Sequence, residues 1–417
     1  MTDVSSPAEV VTGPTVSFGF NLGKVPDHGE DSDPILRDGP SLGLAAVFDG
    51  MGGAGGTVYE TPDGPRSGAY MASRIVRDVV EEHMLTLLEP DRPLPGEATA
   101  SKLHDAIEAA LQTALTDLKA PVSKLRSRLL RALPTTMALG ALQRSGDDGS
   151  DWLCHVLWAG DSRVYAFTPD GMHQLSIDDL RDPGDAMENL QRDSVISNAI
   201  SADTEFVINH RRVVLSAPFF LVCATDGCFG YLRSPMHFEE VVLRTLAGAQ
   251  SDEEWSAGLQ SEISAVTGDD AAMATIAIGA DLDALRELFA PRLTEVVEQY
   301  TKPLDESLDE LERARQALAD LESRRANDLA ARWRRYSPGY ELYLQPEGES
   351  DGETVDERPE RRIWNPPKPI STGAINTGAI STGAITPELA DGATQVPQHS
   401  EAVHDAFAPT TAPEESR

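Results

Sequence analysis

Short apolar runs recur along the first two-thirds of the chain, each closed by glycine, proline or an acidic residue. Residues 16–20, Val-Ser-Phe-Gly-Phe, alternate as a half-buried strand should. Residues 44–48 form a second apolar run that ends in Asp49-Gly50-Met51-Gly52-Gly53. Residues 135–142 and 152–158 read as paired strands, and the second ends in Ala159-Gly160-Asp161-Ser162-Arg163. Residues 164–167 continue as a strand, with Pro169-Asp170-Gly171 as a turn. Further strands are expected at 213–215, 219–224 and 272–278. Helical spacing marks 69–88, 238–247 and 253–266, and also 101–118, where Leu103, Ile107, Ala110, Leu111 and Ala114 share one face. This mixture of strands and helices predicts an α+β fold.

The strand boundaries carry the chemistry. Asp31, Asp49, Asp161, Asp226 and Asp269 each stand at a strand end or start. Glycines such as Gly50, Gly52 and Gly53 let the backbone come close to a ligand, so a carbonyl can join a carboxylate, and hard divalent cations take oxygen ligands of that kind. Taken alone, Asp49-Gly50 reads first as an ordinary hairpin turn. Carboxylates gathered with little compensating Lys or Arg repel one another unless cations sit between them. Two such ions lower the pKa of a bound water and present it to a phosphorus centre.

The formal net charge of -33 over 417 residues disfavours nucleic acid and anionic membranes as partners. Three cysteines, Cys154, Cys223 and Cys228, give neither a disulfide framework nor zinc spacing, and Cys154 and Cys223 read as buried thiols. Histidines 28, 83, 104, 155, 173 and 210 are scattered, with no pair at zinc-ligand spacing. Residues 1–14 lack the basic and apolar regions of a signal peptide, and no apolar run reaches the length of a membrane span. The expected location is cytoplasmic.

In this order the motifs resemble the metal-dependent protein phosphatase family of the 2C type, in its bacterial form. The resemblance covers roughly residues 15–280. It rests on Gly23 with Glu30-Asp31-Ser32, on Asp49-Gly50-Met51-Gly52-Gly53, on the core pair Thr135-Thr136, on Gly160-Asp161-Ser162-Arg163, on Asp226-Gly227 and on Gly268-Asp269-Asp270. It implies a four-layer α-β-β-α sandwich with two Mn²⁺ or Mg²⁺ ions at one end of the sheets. Carried over by position, Asp49 bridges the metals and Asp226 and Asp269 complete one site. The Gly50 carbonyl and the Glu30-Asp31 pair serve the other, directly or through water. Asp161 and Asp226 are candidates for a weaker third ion. The implied reaction is hydrolysis of phosphoserine or phosphothreonine by a metal-bridged hydroxide, opposing a bacterial Ser/Thr kinase, with phosphorylated proteins as substrates.

Two positions depart from the family pattern. Pro26 stands where relatives carry an arginine that grips the substrate phosphate, a role an apolar ring does not fill. Candidate substitutes are Lys24, His28 and Arg66. Gly230 stands where many relatives have a further aspartate. Both support a rival reading, a weak or inactive pseudophosphatase serving as a phosphoprotein-binding scaffold. Asp178 and Asp179 read as solvated charge near the substrate groove. Arg163 either points at phosphate or pairs with an acidic neighbour, and the pair is the preferred reading. The insertion at 54–65 is either a plain excursion or part of the site mouth.

Beyond residue 280 the character changes. Apolar residues from Leu285 to Tyr300 fall at helical spacing, and Pro303 stands where a second helix can start. Leu304, Leu308, Leu311, Leu318 and Leu321 follow, with Arg315 and Glu322 interrupting a clean heptad. Residues 281–345 are therefore expected to form a helical hairpin or short coiled-coil arm. Residues 1–14 and the acidic, Pro-rich stretch 346–417 have the composition of disordered segments. Three near-repeats in the tail carry Thr372, Thr377 and Thr382, each followed by Gly-Ala-Ile. They resemble the Thr-x-x-Ile pattern that forkhead-associated domains read on phosphothreonine. The alternatives are a multivalent phospho-docking tail and an accidental low-complexity duplication.

Overall fold

The computed structural model describes residues 13–341, apart from 26–27, 63, 90–91, 119–130, 146–149 and 192–193. In chain order the elements begin with β1 (Pro14–Leu22), β2 (Ile35–Gly39), β3 (Leu42–Val47), β4 (Val58–Thr61) and β5 (Gly64–Ser67). Helices α1 (Gly68–Leu87) and α2 (Gly96–Asp117) precede β6 (Met137–Ser145), β7 (Asp151–Ala159), β8 (Arg163–Thr168) and β9 (Gly171–Gln174). Then come α3 (Ala186–Gln191), β10 (Asn209–Ser216), β11 (Phe219–Ala224), α4 (Asp226–Phe229), α5 (Pro235–Gly248), α6 (Asp252–Val266) and β12 (Ala271–Ile278). Helix α7 (Leu282–Val296), a π-helical turn (Val297–Thr301) and α8 (Lys302–Tyr340) close the described chain.

Two antiparallel five-stranded sheets, in the orders β1-β12-β11-β8-β9 and β10-β7-β6-β3-β2, lie face to face. The period of two along each strand sorts its side chains between two cores. In β12, Ala272, Ala274, Ile276 and Ile278 join Ala45, Val47, Leu142, Val156 and Leu221 between the sheets. The neighbours Ala271, Met273 and Ala277 face outward under Phe238 of α5, Trp255 of α6 and Phe289 of α7. On the second sheet, Leu44, Ala46, Met137 and Leu139 face outward under Val76 and Val80 of α1 and Leu103 and Ile107 of α2. Both faces of each sheet are thus covered, which explains the unbroken apolar runs at 219–224 and 271–278. The layers are α-β-β-α, as the resemblance implies.

Strand register decides which ends meet. Leu22 pairs with Ala271, and Ala224 pairs with both Met273 and Arg163. In the other sheet Val47 pairs with Ala138 and Met137 with Ala159. The segments after β1, β3, β7 and β11 and before β12 therefore all emerge at one end of the sandwich.

Residues 54–65 carry most of a β-hairpin, β4–β5, rather than a plain excursion. Tyr59 is buried in the same core as Val76 and Leu133, which fastens the hairpin to α1. At the other extreme, the expected boundary at 280 falls inside the packed unit, because Leu285 and Phe289 of α7 belong to the outer core. Nor does the chain turn back at Pro303. A π-helical turn ends with Lys302 N–H donating to the Val297 carbonyl. That wider turn lets the helix run on past a residue with no N–H to give. The segment 281–341 thus forms successive helices in place of a hairpin, and α8 is an arm of 39 residues. Among the described residues, no helix is long and apolar enough to cross a membrane.

Candidate functional site

Asp49 follows β3, and its backbone is held from two sides. Its carbonyl accepts from Thr136 N–H at 2.9 Å and from the Thr135 hydroxyl at 2.6 Å. Both threonines are fully buried, and Thr136 Oγ1 also meets Ser162 Oγ at 2.6 Å, linking the two sheets beside Asp161. Gly50 comes next. A Cβ there would stand 2.5 Å from the Glu30 carbonyl and 2.8 Å from that of Ala69, so only glycine lets these segments close.

The segment 29–31 is clasped by α1. Arg74 donates to the carbonyls of Gly29, Glu30 and Asp31 at 3.1–3.2 Å, while its guanidinium lies 3.5 Å from the centre of the Tyr70 ring. Ser73 adds a 2.5 Å bond to the Glu30 carbonyl. The Glu30 carboxylate accepts from Ser67, which also caps α1 through Tyr70 N–H. The inserted hairpin therefore ends on a site residue. Asp31 is 1% exposed and accepts from Thr225 Oγ1 at 2.9 Å, next to Asp226.

Four carboxylates are thereby pooled. Asp49 lies close enough to Asp31, Asp226 and Asp161 for the charge of each to act on it. Burial raises the pKa of every member. Asp31 is pushed to about 8 by burial and then by the charges of Asp226 and Asp270, against the Thr225 hydrogen bond. Asp161 is pushed to about 8 by burial and by Asp226 and Asp178. Asp226 is pushed to about 6 by burial and by Asp269. Asp49 lies well above its ordinary range through burial and the charges of Asp31, Asp226 and Asp161. Glu30 is raised by burial, with Ser67 opposing.

Of the last acidic pair, Asp269 is exposed and acts on Asp226 through its charge. It is Asp270, which sequence reasoning passed over, that reaches inward. Its carboxylate accepts from Lys24 N–H at 2.7 Å and from Glu30 N–H at 2.5 Å. A second aspartate directly before a strand was the available signal. Lys24 is a cation at this rim, its ammonium bonded to the Gly268 carbonyl, whereas Arg66 lies 4.5 Å from the Tyr70 ring centre. Pro26, Thr372, Thr377 and Thr382 lie outside the described residues.

A cleft of about 420 Å³ opens beside the pool, lined among others by Asp161, Arg163, Asp226, Asn189 and Tyr231. Gly230 also lines it, so the position where relatives have aspartate faces the cleft. Asp178 and Asp179 are not solvated charge. Asp178 is 6% exposed and binds Arg163 at two points, at 2.9 and 2.6 Å. Asp179 accepts from Gly160 N–H and from Asn198 and Asn209, holding the turn that carries Asp161. Burial alone would lower the pKa of Arg163. Tyr165 and Asp178 outweigh it and leave the guanidinium firmly charged.

Among the described residues, no three His, Cys, Asp or Glu side chains form a ready-made metal cage. The donor set nevertheless suits a hard divalent cation. Carboxylates this crowded hold on to protons, and a cation meets the same demand for positive charge. Asp161 Oδ1 is buried with no hydrogen-bond partner, an oxygen lacking the positive group it needs.

Solved structures with a similar fold include two of the serine/threonine phosphatase PstP and one of the phosphatase MsPP. The Mycobacterium tuberculosis serine/threonine phosphatase PstP/Ppp is 18% identical over 64% of this chain and 100% of its own, with a TM-score of 0.44. The catalytic domain of PstP in complex with two manganese ions is 18% identical over 65% of this chain and 100% of its own, at 0.42. The PPM Ser-Thr phosphatase MsPP from Mycobacterium smegmatis, in complex with cacodylate, is 15% identical over 65% and 100%, at 0.39. No curated protein matches by sequence. The family profile of protein phosphatase 2C matches residues 32–264, more than half of the chain, and takes in Asp49, Asp161 and Asp226. With its motifs in order and its α-β-β-α layers, this chain belongs to the protein phosphatase 2C family.

Proposed function

We propose that the chain is a metal-dependent protein phosphatase that hydrolyses phosphoserine and phosphothreonine, opposing a Ser/Thr kinase. The observation that carries the reading is the pool of Asp31, Asp49, Asp161 and Asp226 beside an open cleft. Asp49, central to the pool, would bridge two ions. Asp226 and Asp269 would complete one site, and Asp31, Glu30 and the Gly50 carbonyl the other. Asp161 with Asp226 would hold a weaker third. When bound, Mn²⁺ or Mg²⁺ supplies the Lewis acidity that activates water and offsets phosphoryl charge.

The chain's own groups do the positioning. Thr135 and Thr136 hold Asp49 from behind, and Arg74 fixes the backbone of 29–31. Arg163 and Asn189 are both committed to Asp178 and leave phosphate orientation to other groups at the cleft edge, Tyr231 among them. Asp270 secures the Lys24 backbone at the rim, which places one cation where a phosphoprotein approaches.

The test is turnover of a phosphothreonine peptide with Mn²⁺, wild type beside Asp49→Asn and Asp226→Asn. Metal-dependent turnover that collapses in both variants supports the enzyme. Metal binding without turnover supports the phosphoprotein-binding scaffold instead. For the tail, we propose that phosphorylated Thr372, Thr377 and Thr382 dock a forkhead-associated domain. Titration of phosphorylated and plain tail peptides against such a domain tests this, and equal binding removes it.

A further inference from the structure

Helix α8 runs for 39 residues and, among its described residues, buries none. From Leu304 it carries a stripe at alternating steps of four and three: 304, 308, 311, 315, 318, 322, 325 and 329. Five of these positions are leucine, and their exposure runs from 38% at Leu308 to 68% at Leu329. A seam with that repeat fits a partner helix crossing at a shallow angle. A helix of this length draws most of its stability from packing an apolar face. The seam is interrupted by Arg315, Glu322 and Arg325.

Charge along the helix indicates what covers the seam. Residues 305–312 hold five carboxylates and no cation, whereas residues 324–335 hold five arginines against the single carboxylate of Asp328. One end of the helix is thus the electrostatic complement of the other.

We propose that α8 pairs antiparallel with α8 of a second copy of this chain, with the two-fold axis near Leu318. The acidic turns of each copy then lie against the arginines of its partner. The interruptions become pairs, Arg315 opposite Glu322 of the other copy and Glu312 beside Arg325. Leu308 meets Leu329, and Leu318 meets itself. A parallel pair would set Arg315 on Arg315 and Glu322 on Glu322, which like-charge repulsion disfavours. The antiparallel dimer holds two phosphatase sandwiches at opposite ends of one paired helix.

Sedimentation of the full chain at micromolar concentration tests the association, and the expected species is a dimer. A monomer at every concentration overturns the proposal. Arg315→Glu sets two carboxylates opposite each other and weakens dimerisation at least about tenfold. Adding Glu322→Arg restores it. In a parallel pair Arg315→Glu exchanges one like-charge layer for another, so an unchanged dimer overturns the antiparallel arrangement. Oxidation of single-cysteine variants gives a second reading, because the native thiols are buried. Leu318→Cys cross-links across the axis. Leu311→Cys does not, since the two copies of that residue lie about 20 Å apart along the helices at 1.5 Å per residue. Ready cross-linking of Leu311→Cys indicates parallel pairing and overturns the proposal. Circular dichroism confirms that each variant remains folded.

Discussion

Arg163 and Asp178 form a two-point ion pair at the wall of the cleft, Nε to Oδ1 at 2.9 Å and Nη2 to Oδ2 at 2.6 Å. Both side chains are almost wholly buried, at 3% and 2% exposure. Gln174 and Asn189 each donate a further bond to the same carboxylate, and the guanidinium lies 4.5 Å from the centre of the Phe229 ring. The pair is neutral overall: at Asp161 the charge of Asp178, which raises its pKa, exceeds that of Arg163, which lowers it, whereas Asp226 feels the lowering charge of Arg163.

Breaking the pair has two expected consequences. Asp178→Asn leaves a buried guanidinium without its counter-ion and destabilises the fold by about 3 kcal/mol. The freed Arg163 then turns to Asp161, whose Oδ1 lacks a partner, and competes with a cation there. Chemical denaturation and Mn²⁺ titration read the two effects separately. Unchanged stability would show that Asp161 and Asp226 already neutralise Arg163.

The raised carboxylate pKa values set the pH dependence of the metal-free protein. Asp31 and Asp161 move from 3.8 to about 8, and Asp226 from 3.8 to about 6. Folding therefore takes up protons that the unfolded chain has released. Stability is greatest near pH 4 as far as these groups decide it, and falls as pH rises through the folded values. Chelated protein should melt at a lower temperature at pH 8 than at pH 6, and Mn²⁺ should raise Tm more at pH 8. A flat melting temperature across this range, with chelator present, contradicts the buried pool.

Asp226→Asn separates stability from activity. In chelated protein it removes one charge from a crowded pool and should leave Tm equal or higher, most clearly at pH 8. With Mn²⁺ it should lower turnover at least about 100-fold, the order of magnitude for losing a group that stabilises transition-state charge. Calorimetry and peptide turnover on one preparation check both halves. Lower Tm in the chelated variant would mean that the contacts of the Asp226 carboxyl outweigh the repulsion.

Most of the sandwich was legible in the sequence because its strands are buried on both faces and its helices on one. Runs such as 219–224 and the spacing of Leu103, Ile107 and Leu111 therefore carry unambiguous periods. Asp49, Asp161 and Asp226 were legible for a related reason, since each follows an apolar run directly. What the sequence concealed depends on distant contact. Asp178 sits in a polar stretch that reads as surface, and only the β8–β9 pairing folds it back onto Arg163. Asp270 and Asp269 look alike in sequence, and the backbone N–H groups of Lys24 and Glu30 decide between them. The β4–β5 hairpin was hidden because it rests on one buried side chain, Tyr59.

Gly227 offers the sharpest structural test. It follows Asp226 at the start of α4, where the tight turn after β11 passes the first residues of β12. A Cβ at this position would stand 1.8 Å from the Asp270 carbonyl oxygen and 2.8 Å from its carbon. Both are backbone atoms, so no side-chain rotation relieves the clash. The turn or the strand start must move, and either movement separates Asp226 from the Asp269-Asp270 segment. Gly227→Ala should therefore destabilise the fold by about 1–3 kcal/mol, the usual range for overpacking. It should also weaken Mn²⁺ binding. Gly248→Ala is the control, because a Cβ there meets nothing within 4 Å. Equal stability and metal affinity in the two variants would show that the close approach at Gly227 is not required.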